Sequence, residues 1–276
     1  MQYFETGWNT DDGLRIYAQG WEPGVEPRAV VCLVHGLGEH SGRYGHVAAF
    51  ITHAGYALFA FDMRGHGKSQ GKHGHASSYG VLLDDISYFL EKAAERYTNL
   101  PSFLYGHSLG GTLVIEYALR RRPVLPGVIA TGPSFRPAFE PRPWKITLGK
   151  IMYHLWPTLT LSNEIDREGL SRDLEVVRVY NNDPLVHDRL STRLGIDLLE
   201  RGLWVLEHAD QIHLPLLLMH GGADRITSAE ASREFAEQAG DLCTLRIWDD
   251  FYHEIHNEPE KEQVLGYMME WLSGRT

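Results

Sequence analysis

The sequence predicts an α/β fold with a mostly parallel central sheet and helices on both of its faces. Two short runs, residues 29–34 and 57–61, are continuously apolar, which is typical of strands covered on both sides. They alternate with segments of helical periodicity such as residues 78–97, whose apolar side chains fall on one face. This alternation of strand and helix favours a parallel sheet.

The chain begins with two predicted strands, residues 3–9 and 14–22, which the turn signal Asp11-Asp12-Gly13 joins into a hairpin at a sheet edge. The elements that follow in order are a strand at 29–34, a helix at 43–53, a strand at 57–61, a helix at 78–97, a strand at 103–105, a helix at 112–119 and a strand at 128–131. This order of elements predicts a single sheet built from successive crossovers.

The pattern changes after residue 134. Residues 135–212 contain no convincing buried strand and include a helical, apolar stretch at about 146–156. The strand pattern returns at 216–219, and a helix from 228, a strand at 244–248 and a helix at 260–272 complete the chain. We therefore predict a core of residues 1–134 and 213–276, with residues 135–212 inserted as a helical cap.

Composition excludes several classes of function. The 276 residues carry 26 Lys and Arg against 36 Asp and Glu, a net charge of −10 without a basic stripe, so nucleic acid is not an expected partner. The chain starts without a signal-peptide pattern, and its two cysteines form no C-x-x-C motif, so we expect a reducing, cytoplasmic setting. The histidines of the glycine-rich loop 65–75 lack a metal-binding pattern, and neither metal nor cofactor is expected.

The segment Gly106-His107-Ser108-Leu109-Gly110 matches the G-x-S-x-G nucleophile elbow, in which a tight strand-to-helix turn presents a serine above the sheet. Side chains two residues before and after that serine would collide, so glycine is needed at both places. The pattern also arises by chance in loops. The apolar run before it and the helical run after it provide the context that the motif requires and favour the catalytic interpretation.

A serine hydroxyl needs an imidazole to accept its proton and a carboxylate to fix the tautomer of that imidazole. In a parallel sheet such groups follow the carboxyl ends of strands, where the serine also lies. Asp224 follows the strand at 216–219, and His253 follows the strand at 244–248. The order Ser108, Asp224, His253 is typical of the α/β-hydrolases.

Alternatives exist for both partners. His256 competes with His253, which we favour because it lies nearer the end of its strand. Asp249 and Asp250 are rival acids on the histidine's own loop, and Asp224 would also serve as the N-terminal acid of the next helix. His107, beside the serine, is disfavoured because its side chain leaves the turn in another direction.

An oxyanion needs two N–H donors. The residue after the nucleophile, Leu109, supplies one, and the loop His35-Gly36-Leu37-Gly38 after the strand at 29–34 supplies the other, with the Leu37 N–H the best candidate.

With these residues in place, the chain resembles the monoacylglycerol lipase and lysophospholipase group of α/β-hydrolases, known also as the serine aminopeptidase S33-like family. The resemblance covers nearly the whole chain. Its most specific segments are residues 35–44, 62–69, 106–111, 180–185 and 252–256. It implies an α/β-hydrolase fold, a Ser108–Asp224–His253 triad, oxyanion donors at Leu37 and Leu109, and a helical cap at 135–212. It also implies four residues near the polar head-group end of the pocket: Glu39, Arg43, Tyr180 and His256.

The expected activity is that of a serine esterase, which cleaves monoacylglycerols or similar small, lipid-like, single-chain esters through an acyl-enzyme. Lysophospholipase, broad carboxylesterase and acyltransferase activities remain alternatives. A non-catalytic ligand-binding protein is disfavoured because all three triad members are present. The cap's apolar residues would line an acyl channel or touch a membrane or micelle, or else pack on the cap's own helices: Trp144, Ile151, Leu155, Trp156 and Leu159. The sequence leaves the oligomeric state open.

Overall fold

The computed structural model describes residues 1–276 and contains one eight-stranded sheet. Its strands are β1 (Gln2–Asn9), β2 (Arg15–Glu22), β3 (Val30–Val34), β4 (Ala57–Phe61), β5 (Ser102–His107), β6 (Val128–Thr131), β9 (Leu216–Gly221) and β10 (Cys243–Trp248). They lie in the order β1-β2-β4-β3-β5-β6-β9-β10. The β1–β2 and β2–β4 pairs are antiparallel and all the others are parallel, so the predicted α/β fold and its edge hairpin are confirmed.

Helices cover both faces of this sheet. They are α1 (Gly45–His53), α2 (Gly80–Arg96), α3 (Leu109–Arg121), α7 (Ala229–Ala239) and α8 (Lys261–Ser273). Alternate residues of each central strand point to opposite faces. Cys32 of β3 therefore lies in one buried apolar cluster and Leu33 in the other. This double coverage explains why the central strands have continuous apolar runs and no solvent-facing side.

Two helices start earlier or later than their periodicity indicates. α3 begins at Leu109, three residues before the predicted start, because Gly110 and Gly111 give no periodic signal. α1 begins at Gly45 after a short 3-10 turn, Ser41–Tyr44, which the sequence pattern merges with the helix. Both differences lie at the carboxyl edge of the sheet, where local turns replace regular structure.

The segment between β6 and β9 holds three helices and two short strands. These are α4 (Pro143–Leu155), β7 (Thr160–Ser162), α5 (Leu174–Asn182), β8 (Arg189–Ser191) and α6 (Thr192–Glu207). β7 and β8 pair antiparallel in a separate two-stranded sheet. α6 extends into the main core, where Val205 and Leu206 are buried. The apolar residues Trp144, Leu148, Ile151 and Leu155 are at least half exposed, and α4 contains no buried residue.

Both cysteines are free thiols, Cys32 buried in the core and Cys243 partly covered. None of the helices combines the length and the apolar character that a membrane span requires.

Candidate active site

The turn between β5 and α3 presents Ser108. Its backbone has φ 55° and ψ −117°, a left-handed conformation that is strained for any residue except glycine. A Cβ at Gly106 would lie 2.2 Å from the Gly110 carbonyl oxygen, and a Cβ at Gly110 would lie 2.1 Å from the Val34 carbonyl oxygen. The backbone approaches both flanking glycines so closely that neither position has room for a Cβ atom, as the pattern predicts.

Ser108, His253 and Asp224 come from three loops at the same edge of the sheet and touch in sequence. The Oγ of Ser108 lies 2.9 Å from Nε2 of His253, and Nδ1 of His253 lies 2.7 Å from Oδ2 of Asp224. A carboxylate only accepts hydrogen bonds, so Nδ1 carries the proton and Nε2 is free to accept from the serine hydroxyl. The side chains of His253 and Asp224 are almost completely buried.

Because these two side chains are buried, their charges interact strongly. Burial disfavours the charged imidazole, but the charge and hydrogen bond of Asp224 outweigh it and raise the pKa of His253 above its ordinary value of 6.5. Burial also opposes ionisation of Asp224, yet the charge of His253 and the hydrogen bonds from His220 and His253 hold the pKa of that carboxyl well below its usual range. The pair therefore favours a carboxylate and supports a protonated imidazole.

The rival residues lie elsewhere. His256 is buried with its ring against those of Tyr44 and His107, at centroid distances of 5.0 and 4.7 Å, and does not contact Ser108. Asp249 and Asp250 are exposed at the end of β10. Of the candidate bases and acids named above, only His253 and Asp224 belong to the hydrogen-bonded chain that ends at Ser108.

His107 is also turned away from the serine. Its Nδ1 lies 3.1 Å from the Thr131 hydroxyl oxygen, beneath the turn. Burial, followed by the charge of His253, lowers the pKa of His107 to about 4.

The two expected oxyanion donors flank the serine. Leu109 is the first residue of α3, so its N–H has no partner within the helix. The N–H of Leu37 makes no hydrogen bond in the loop after β3. Both residues line the same cavity as Ser108. Two free N–H groups therefore belong to residues that border the place where an ester carbonyl would sit.

The four residues expected at the head-group end separate into two pairs. Glu39 and Tyr180 line a small cavity of about 20 Å3 beside Ser108 and His253, whereas Arg43 and His256 do not line it. Two of the four residues thus line this cavity, and the head-group role of all four stays a prediction. The Arg43 guanidinium binds two buried carboxylates, and the His256 ring packs against those of Tyr44 and His107, with its Nδ1 left without a hydrogen-bond partner.

Arg43 instead connects the two site segments that carry Glu39 and Glu254. It forms a bidentate pair with Glu254 at 2.6 and 2.7 Å and a hydrogen bond to Glu39 at 2.6 Å, and it lies 4.7 Å from the Tyr180 ring centroid. Glu39 in turn accepts the N–H of Gly36 at 2.7 Å. Burial opposes ionisation of Glu39, but Arg43 and nearby histidines lower the pKa of that carboxyl. Local patterns do not predict the contact between Arg43 and Glu254, because the partners are 211 residues apart.

A larger cavity of about 740 Å3 also borders the serine. Its apolar walls come from Leu37, Leu109, Phe135, Phe139 and Leu198. Charged side chains surround the rest of the cavity: Glu140, Arg142, Lys145, Glu164, Asp166 and Arg225. Ser108 borders both this cavity and the small polar one. No group of three or more histidine, cysteine or acidic side chains is placed to hold a metal ion.

Sequence reasoning did not single out His220 or Thr227, which both contact Asp224. The available signal was their closeness to Asp224 in the sequence: His220 lies four residues before it, near the end of β9, and Thr227 lies three residues after it.

This fold, with a serine, an imidazole and a carboxylate in hydrogen-bonded sequence at its elbow, defines a serine hydrolase of the α/β-hydrolase class. The family model described as serine aminopeptidase, S33, matches residues 25–260. The chain belongs to this family.

Individual relatives agree with this assignment. A monoacylglycerol lipase of Mycolicibacterium smegmatis is 34% identical over 262 residues, which cover 94% of this chain and 93% of that protein. The crystal structure of Paleococcus ferrophilus monoacylglycerol lipase is 38% identical with a TM-score of 0.87, covering 95% of this chain and 99% of that one. An uncharacterized abhydrolase domain-containing protein of Dictyostelium discoideum is 39% identical over 269 residues. That match covers 96% of this chain and only 28% of the Dictyostelium protein.

Proposed function

We propose that this serine hydrolase cleaves monoacylglycerols through an acyl-enzyme on Ser108. The single observation that carries the proposal is the unbroken hydrogen-bonded chain from Ser108 through His253 to Asp224, at 2.9 and 2.7 Å. Ser108 Oγ attacks the ester carbonyl carbon while His253 Nε2 takes its proton. The imidazolium, stabilised by Asp224, then gives that proton to the departing glycerol oxygen. A water molecule activated by His253 releases the fatty acid and restores Ser108.

The oxyanion that forms in each step is held by the N–H groups of Leu37 and Leu109. These donors are backbone groups, so they remain when the side chains change. Glu39 supports this arrangement from behind, because its carboxylate holds the loop that carries Leu37 through the N–H of Gly36. Fixed donors of this kind need no reorganisation during the reaction, which is why they contribute strongly to rate.

The two cavities suit the two halves of the substrate. The large, partly apolar cavity is the place for the acyl chain. The small cavity, lined by Glu39, Tyr180 and Glu254, has room for about one water-sized group. It takes the hydroxyl end of glycerol and, once glycerol has left, the water that attacks the acyl-enzyme.

Substrate class is tested with an activity panel. Monoacylglycerols of graded chain length, lysophospholipids and triacylglycerols are compared at equal concentration by released fatty acid. We expect monoacylglycerols to give the highest kcat/KM and the Ser108→Ala variant to lose about 10⁶-fold in kcat, as when other triads lose their nucleophile. Hydrolysis of lysophospholipids alone, or a Ser108→Ala variant with near-normal activity, would contradict the proposal.

We also propose that residues 135–212 form a cap that contacts a lipid surface through α4. Trp144, Leu148, Ile151 and Leu155 recur at helical spacing on one face and are exposed. The first turn of α4 borders the large cavity, since Lys145 lines it. A substrate that resides in a lipid layer would therefore enter beside the apolar stripe.

Vesicle binding tests this contact. We expect the triple variant Leu148→Ser, Ile151→Ser, Leu155→Ser to sediment less with phosphatidylcholine vesicles than the wild type. Its kcat on a water-soluble nitrophenyl ester should stay within about twofold of the wild-type value, because none of the three residues lines the cavity that Ser108 borders. A control removes three exposed apolar residues elsewhere: Val25→Ser, Val124→Ser and Leu242→Ser. Equal sedimentation of both triple variants would contradict the proposed contact.

A further inference from the structure

A second histidine contacts the carboxylate of Asp224. His220 lies near the end of β9, and its side chain is completely buried. Its Nε2 is 3.0 Å from Oδ2 of Asp224, the same oxygen that accepts from His253 at 2.7 Å. Two imidazoles therefore converge on one carboxylate oxygen, and only one of them belongs to the triad.

The partners of His220 determine where its proton lies. Nε2 faces Oδ2 of Asp224 and the Thr227 carbonyl oxygen at 3.2 Å, and both are acceptors only, so Nε2 carries the hydrogen. Nδ1 lies 2.7 Å from the hydroxyl of Ser232, a buried residue of α7. In the neutral ring this nitrogen accepts from that hydroxyl. A continuous hydrogen-bonded chain thus runs from Ser232 through His220, Asp224 and His253 to Ser108.

The other bonds of Asp224 do not replace the one from His220. Oδ1 accepts the backbone N–H groups of Ile226 and Thr227 at 2.7 and 3.0 Å. The Thr227 hydroxyl lies 2.8 Å from Oδ2, but it also reaches the Gly132 carbonyl at 3.2 Å and has only one hydrogen to give. His220, by contrast, is fixed at both ring nitrogens.

We infer that His220 is a positioning residue, which holds the Asp224 carboxylate so that Oδ2 faces His253. This inference rests on the proposed function, because it concerns the orientation of that triad. The Nε2–H of His220 gives Oδ2 a second imidazole donor beside that of His253, and this bond fixes the orientation of the carboxylate. Ser232 fixes the ring and so connects α7 to the site.

The test compares His220→Leu, His220→Gln and Ser232→Ala with the wild type on a nitrophenyl ester across pH. Leucine removes the donor, and we expect kcat to fall about 10- to 100-fold, as when a catalytic group moves by about 1 Å. KM should change little, because His220 does not line the substrate cavity. Glutamine offers an N–H near the place of Nε2 and should restore most of the activity. Ser232→Ala should show a smaller loss of kcat.

The pH profile separates positioning from a merely structural role. A carboxylate that is no longer held supports the imidazolium less, so the acid limb of kcat/KM should move to lower pH in His220→Leu and return in His220→Gln. In Ser232→Ala the acid limb should also move to lower pH, but by less. His213→Leu is the matched control, because this imidazole precedes β9 at the opposite end of the strand and its ring nitrogens have no hydrogen-bond partner.

The outcomes are distinct. A folded His220→Leu protein with wild-type kcat and an unmoved acid limb overturns the inference, and so does a loss of kcat that leaves the limb in place and is not reversed by glutamine. If the leucine variant does not fold, Ser232→Ala decides, and an unchanged profile there overturns the inference. A wild-type protein that hydrolyses no ester and does not react with a fluorophosphonate overturns the proposed function and the inference together, before any variant is compared.

Discussion

The Asp224→Asn substitution tests the triad at one atom. Oδ1 of Asp224 accepts two backbone N–H groups, while Oδ2 faces two imidazole N–H groups, those of His220 and His253. An asparagine that keeps its oxygen at the backbone groups turns its NH2 toward His253. A donor then faces a donor, so His253 changes tautomer and carries its proton on Nε2. That nitrogen can no longer accept the proton of Ser108.

The opposite orientation of the amide is less favourable, since it would leave two backbone N–H groups facing an NH2 group, each costing about 1–3 kcal/mol. We therefore expect the wrong tautomer to dominate and kcat to fall about 10⁴-fold, the loss known for this change in a serine-protease triad. At 1.36 kcal/mol for each factor of ten, that is about 5.4 kcal/mol of transition-state stabilisation.

The assay is kcat on a nitrophenyl ester at a pH above the acid limb, with the melting temperature as a check on folding. Asp249→Asn and Asp250→Asn are the matched controls, because both remove an exposed carboxylate from the loop of His253. They should retain wild-type kcat. An Asp224→Asn protein that keeps more than about a tenth of the wild-type kcat would refute the tautomer argument, whose expected loss is about 10⁴-fold.

The electrostatics and the packing of the site can be tested in three further ways. The pKa of His253 is raised, so the acid limb of kcat/KM should have its midpoint above 6.5; a midpoint below that value would contradict the ion pair with Asp224. Gly110→Ala should unfold at lower urea than Gly45→Ala, because its Cβ meets a backbone oxygen at 2.1 Å while a Cβ at Gly45 meets nothing within 4 Å; equal midpoints would disprove the clash. Burial lowers the pKa of His187 and His107 to about 4 from 6.5, so the unfolded chain binds more protons between these values, and the free energy of unfolding should fall as pH drops from about 6.5 toward 4. A urea midpoint that stays constant over this range would contradict the lowered pKa values of these two histidines.

Much of the fold is predictable because the central strands are covered on both faces. Such strands need continuous apolar runs, and β3 and β4 carry them without interruption. Sequence patterns do not predict β7 and β8, because these strands have three residues each and lie mostly at the surface, where no apolar pattern is required. The order of the strands in the sheet also lies beyond sequence patterns, since it depends on contacts between distant segments.

The site likewise contains residues that local sequence patterns predict and contacts that they do not. Ser108, Asp224 and His253 follow strand ends, so local patterns place them at one edge of the sheet. The contact of Arg43 with Glu254 joins segments that no local pattern connects, and the position of His256 behind the cavity follows from aromatic packing rather than from spacing. Sequence patterns therefore indicate which side chains reach the rim, and the structure is needed to show which of them face the cavity.

Reaction with a fluorophosphonate identifies the nucleophile of the proposed triad. The protein is treated with the probe and digested, and the masses of its peptides are measured by mass spectrometry. We expect a single adduct on Ser108, no adduct in Ser108→Ala, and a strongly slowed reaction in His253→Asn, which lacks the base. An adduct on another serine, or undiminished labelling of Ser108→Ala, would contradict the assignment of Ser108 as the nucleophile.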